Sequence, residues 1–146
     1  MFASADFESM QLDLKDIRGI EVRDQLVELL ADSQDDDVRL GLEVLRGWDG
    51  RADTDSRAAC VLYPFVDRVW WRRFLREGLA DPITDALPAA APTLNRFGIE
   101  DCLMPGSPWE AHRETLIDVL AKALKSVVSA VRKELGEPDE WRWGRL

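Results

Sequence analysis

Three sets of residues in this 146-residue chain have types and spacings that could do chemistry. The first is acidic. Asp49, Asp53 and Asp55 lie in "GWDGRADTDS", and Asp35, Asp36 and Asp37 run together in "DSQDDD". Clustered carboxylates suit calcium, but an EF-hand loop needs a glycine after the acidic triplet and a glutamate to close it. The Asp49–Asp53–Asp55 spacing has neither, so these residues read as caps and turn formers. Asp35, Asp36 and Asp37 read as a solvated helix start, where negative charge offsets the helix dipole.

The second set is nucleophilic. A thiolate–imidazole pair would need His112, the sole histidine, beside Cys60 or Cys102. At a helix start, His112 reads as a surface residue. No Gly-x-Ser-x-Gly elbow and no phosphate-cradling glycine loop is present. Two distant cysteines without a CxxC make no metal site. Two buried thiols are expected, with one Cys60–Cys102 disulfide as the alternative. The third set is "WWRRF", Trp70 to Phe74, which suggests base stacking. On a helix, however, Trp70 and Phe74 share a face, while Arg72, Arg73 and Arg76 spread around the other. That pattern fits a core face flanked by snorkelling arginines. No catalytic, cofactor-binding or metal-ligating residue is therefore assigned, and no cofactor is expected.

Composition narrows the partners. The net charge of −9 repels nucleic acid and an anionic membrane surface alike. No apolar run approaches the roughly 20 residues of a membrane span. The opening "MFASADFESMQLDL" lacks the basic and apolar regions of a secretion signal. Apolar content of 46% with 32% charged residues fits one globular domain over 1–146.

Helical periodicity dominates the elements that would position these residues, and the fold expected is mainly α: an irregular array of five to six helices with little or no sheet. Ser4 caps a short first helix carrying Phe7, Met10, Gln11 and Leu14. Gly19 marks a break or a close contact. The next helix runs from about Glu21 to Ala31, with Leu26, Leu29 and Leu30 inward. A third carries Val38, Leu42 and Leu45 and ends at Trp48. Ser56 caps a fourth, with Ala59, Leu62, Val66, Val69, Trp70 and Phe74 as its stripe and Pro64 as a kink. Residues 80–107 form a Pro/Ala-rich irregular connection, with Pro82, Pro88, Pro92 and Pro105 and short helices around Thr93–Met104. Thr84 and Asp85 have no clear partners there. Ser107-Pro-Trp-Glu110 fits a capping box for a long helix bearing Leu116, Ile117, Leu120, Leu124, Val127, Val128, Val131 and Leu135. Gly136 ends it, with Pro138 beyond. Trp141 and Trp143 then alternate like a strand in need of a sheet, as though the chain were cut where a new element begins.

Several of these pieces, in this order, resemble the penicillin acylase family across essentially the whole chain. "ADFESMQLDL" resembles its Asp-Phe/Met…Gln-x-Asp segment. "VLRGWDGRADTDSRAACVLYPFVDRVWWRRF" resembles its Leu-x-x-Trp-Asp-Gly turn and following helix. "RETLIDVLAKAL", Gly136 and "EWRWGRL" resemble its closing Trp-x-Trp-Gly-x-Leu. The resemblance implies a parent N-terminal nucleophile hydrolase with a four-layer αββα core. In such a parent a self-cleaved precursor exposes an N-terminal serine that attacks an amide. Its own α-amino group is the base, and backbone and asparagine donors hold the oxyanion. Implied substrates are β-lactam side-chain amides or acyl-homoserine lactones. Many relatives are periplasmic or extracellular, with any signal upstream.

No position here matches the nucleophile serine or the oxyanion segment. The expectation is a helical fragment of the large chain, inactive alone, whose partner is the remainder of the parent acylase. Exposed core-facing surfaces are expected to drive self-association. In that frame Trp48 seals a corner between helices, Asp49 and Gly50 form the turn, and Ser56 starts the next helix. The rival readings are a stand-alone helical domain that binds a partner through a tryptophan-rich face, and a small cysteine-dependent enzyme.

Overall fold

The computed structural model describes residues 15–66 and 113–146. Over these the chain forms four α-helices: α1 (Ile17–Leu29), α2 (Asp36–Arg46), α3 (Arg57–Pro64) and α4 (Arg113–Leu135). Two short 3-10 turns, Pro138–Glu140 and Trp143–Arg145, follow α4. No strand occurs among the described residues. A single antiparallel bridge joins Lys15 to Arg51. The mainly α class expected from periodicity is what the described residues adopt. The Ser4 helix, the 80–107 connection, the Ser107 capping box, Cys102, His112 and the Trp70–Phe74 stretch lie outside the described residues.

Local chemistry explains each helix start. Asp16 caps α1, its carboxylate accepting the Gly19 N–H at 2.8 Å. The helix therefore begins four residues before the expected Glu21, and Gly19 lies inside its first turn rather than at a break. Asp35 caps α2, accepting from Asp37 N at 3.0 Å and Val38 N at 3.2 Å. Ser56 caps α3, its hydroxyl accepting from Ala59 N at 3.2 Å, as its position predicts. Pro64 lacks an N–H, and α3 ends there in a wider π-type turn at residues 65–66. Gly136 terminates α4 with φ +88°, a left-handed conformation that costs a glycine little.

Helix α4 is the axis of the core. Leu116, Leu120, Leu124, Val127, Val128 and Val131 are buried along one face, joined by Val119 and Ala123. α2 packs on this face and also touches α1 and α3; α3 packs on α4. Gly41 of α2 admits the close approach, since a β-carbon there would stand 3.0 Å from both Leu124 and Val128. Val38, Leu42 and Leu45 supply α2's share, and Val22, Leu26 and Leu30 close the α1 side. Phe65 is fully buried beside Pro64, while Val66 is only partly covered.

The strand expected of Trp141 and Trp143 does not form. Trp141 is fully buried, and its indole N–H donates to the Gly136 carbonyl at 2.9 Å. Trp143 packs on the ring of Tyr63 at 5.2 Å between centroids. The Trp143–Arg145 turn packs on α3, so the two indoles meet partners within the helical array rather than a sheet. The amide of Gly144 then donates to the Thr54 carbonyl at 2.8 Å, pinning this end to the loop before α3.

Candidate functional site

The Trp-Asp-Gly turn is where the described segments converge. α2 ends at Arg46, and Trp48 turns its ring inward to 5% exposure. Its indole N–H donates to the Arg51 carbonyl at 2.7 Å, and its own carbonyl accepts from the Arg23 guanidinium of α1. The ring meets Tyr63 of α3 edge-on, 6.2 Å away at 88°. Tyr63 in turn donates its hydroxyl to the Asp16 carboxylate at 3.2 Å. Trp48 thus joins α1, α2 and α3 at one point.

Asp49 makes a local turn, its carboxylate accepting the Arg51 N–H at 2.9 Å. Gly50 takes φ +89°, and its carbonyl accepts from Asp16 N at 2.8 Å. The Asp53 carbonyl accepts from Ser56 N at 2.8 Å. Asp55 lies 3.9 Å from the Arg142 guanidinium. Asp49 thus holds the turn through its carboxylate, whereas Asp53 contributes its backbone carbonyl and Asp55 an ion pair. Among the described residues no group of three or more His, Cys, Asp or Glu side chains is arranged to hold a metal.

Asp35, Asp36 and Asp37 do more than start a helix. Asp35 pairs with Lys125 of α4 at 2.5 Å, and Asp37 pairs with Arg132 at 2.7 Å. The Ser129 hydroxyl also donates to Asp37, at 3.3 Å. Of the three only Asp36 is exposed, and the helix start expected from sequence serves also as a surface clamp between α2 and α4. The hydrogen bond from Lys125, followed by that from Val38 N, holds the Asp35 carboxyl below its ordinary range. The same contact raises Lys125.

Cys60 is a free thiol, buried without residual exposure. It donates weakly to the Ser56 carbonyl at 3.4 Å. Burial pushes its pKa up to about 11, opposite to the shift a nucleophilic cysteine needs.

One surface depression, of about 430 Å³, lies beside the turn. Leu40 and Val44 of α2, Trp48, Ala58 and Pro138 line it, and carboxylates stand around its edge. No helix among the described residues is long and apolar enough to cross a membrane.

Among the polar side chains singled out in the sequence and described here, Asp35, Asp37, Asp49 and Ser56 act as caps, turns and clamps. Sequence reasoning missed Asp16 and Arg23. Asp16 carried a signal, an aspartate three residues before a helical glycine; Arg23 reaches Trp48 only in three dimensions. No curated protein and no solved structure matches the chain. The family model for penicillin amidase matches residues 1–146. With the Trp-Asp-Gly turn and the Trp-x-Trp segment both set in one helical array, and that match running the length of the sequence, the chain belongs to the penicillin amidase family.

Proposed function

We propose that this chain is the helical part of a larger penicillin acylase-like amidohydrolase, and that catalysis resides in segments outside it. The observation that carries the reading is the family match over the whole of residues 1–146. The use made of the local polar groups supports it. Ser33, Ser56 and Ser129 are engaged as turn, cap and clamp, and Cys60 is buried and protonated. The parent is an N-terminal nucleophile hydrolase: its serine attacks an acyl amide, the amine leaves, and water releases the acid from the acyl-enzyme. Its substrates are β-lactam side-chain amides or acyl-homoserine lactones. The helical array contributes packing, with the Trp-Asp-Gly turn as its joint.

The rival reading, binding through a tryptophan-rich face, has little support among the described residues. Trp48 and Trp141 are buried, and Trp143 is packed against Tyr63. A chromogenic phenylacetyl anilide tests the proposal. The purified chain is expected to release no chromophore above the buffer rate, while the full parent, carrying its serine, turns the substrate over. Release by the isolated chain would overturn it.

A further inference from the structure

The depression beside the Trp-Asp-Gly turn is lined by apolar side chains and by acidic ones that outnumber the basic. Leu40 and Val44 present partly covered aliphatic surface from α2, flanked by Ala58 and Pro138. Around them stand Glu43, Asp49, Asp53 and Asp55, against the single guanidinium of Arg57. The ion pairs among the described residues engage Asp24, Asp35, Asp37, Asp55 and Asp118, leaving Glu43, Asp49 and Asp53 with none. Three rim carboxylates are therefore uncompensated, in a chain whose net charge is already −9.

We propose that this depression docks a cationic polypeptide segment: an aliphatic or aromatic side chain seats over Leu40 and Val44, and flanking lysines or arginines meet Glu43, Asp49 and Asp53. Charge complementarity selects the occupant. A second copy of this acidic chain or a nucleic acid would be repelled, whereas a basic segment is steered in and oriented. The inference stands apart from the acylase reading, because it concerns only this chain's own surface.

Gly47 provides the test. It lines the depression, has φ −81°, and a β-carbon there would meet nothing within 4 Å. Gly47→Phe therefore adds bulk to the lining of the groove, with its β-carbon in open space and the backbone unstrained. The probe is the peptide acetyl-Lys-Leu-Lys-Leu-Lys-amide, titrated by calorimetry into the intact chain, with acetyl-Glu-Leu-Glu-Leu-Glu-amide and spermidine as controls. The basic peptide is expected to bind, to weaken at least tenfold in Gly47→Phe and in Asp53→Asn/Glu43→Gln, and to weaken as salt is raised. Both variants are expected to keep the parent chain's circular dichroism and melting temperature. The proposal is overturned by absence of binding, by equal binding of the acidic peptide or of spermidine, or by Gly47→Phe binding the peptide as the unaltered chain does.

Discussion

The ring of Trp48 lies so close to Gly19 that a β-carbon at residue 19 would stand 2.8 Å from its Cη2 atom. The same β-carbon would be 2.6 Å from the capping carboxylate of Asp16. Helix α1 thus accepts a glycine in its first turn because an indole occupies the missing side chain's space.

Gly19→Ala gains helix propensity, worth up to about 1 kcal/mol, but overpacks the joint at a cost of about 1–3 kcal/mol. Net destabilisation is expected, read as a lower urea midpoint. Gly47→Ala is the control: its β-carbon enters open space, so its midpoint is expected to hold or rise. Equal effects at both positions would contradict the Trp48 contact.

Trp141 separates two contributions. Trp141→Phe keeps most of the burial but leaves the Gly136 carbonyl without its indole donor, at an expected cost of about 1–3 kcal/mol. Trp141→Ala also empties the core site and is expected to cost about 3–5 kcal/mol. Denaturant unfolding of both variants checks the order. A neutral Trp141→Ala would show that the residue does not belong to the core.

The α2–α4 clamp predicts a pH dependence. Asp35 has its pKa lowered from the ordinary 3.8. Its contribution to stability is therefore present above that value and is lost as pH falls through the lower folded value. Lys125 is raised above 10.5, so its share is present below that pH and is lost as pH rises through the higher folded value. Asp35→Asn keeps a capping side chain but removes the charge. Unfolding midpoints followed from neutral pH into acid are expected to fall less steeply for Asp35→Asn than for the unaltered chain. Parallel curves would exclude a folded-state shift at Asp35.

Cys60 should resist alkylation. With its pKa near 11 and no exposed surface, it holds little thiolate at pH 8 and presents less to a reagent. Iodoacetamide at pH 8, followed by peptide mapping, is expected to leave Cys60 unlabelled in the native chain and to modify it in urea. Raising the pH from 9 through 11 is expected to destabilise the fold through this group, because the unfolded thiol ionises first, near 9.0. Rapid native labelling would contradict the burial.

The features legible in the sequence are those that depend on near neighbours. Ser56 as a cap, Gly136 as a stop, the Val38–Leu42–Leu45 stripe and the α4 face all follow from spacing within a few turns. The Asp49–Gly50 turn was equally local. What sequence missed depends on distant partners. Gly19 reads as a break or a close contact, and only Trp48, placed against it, decides for the contact. The period-two spacing of Trp141 and Trp143 matches a strand as well as two residues of a folded-back turn, and Tyr63 decides between them. Asp35 and Asp37 resemble any acidic helix start until Lys125 and Arg132 are seen opposite.

The clamp joins residues 90 and 95 positions apart, Asp35 to Lys125 and Asp37 to Arg132. Closing a loop of that length costs entropy before any contact rewards it. During synthesis α2 leaves the ribosome long before Leu124 and Val128 exist to cover Gly41, Leu42 and Leu45. The face of α2 that meets α4 is thus uncovered until α4 is made, an interval in which exposed surface invites aggregation. The helical array is therefore completed late, once α4 has emerged.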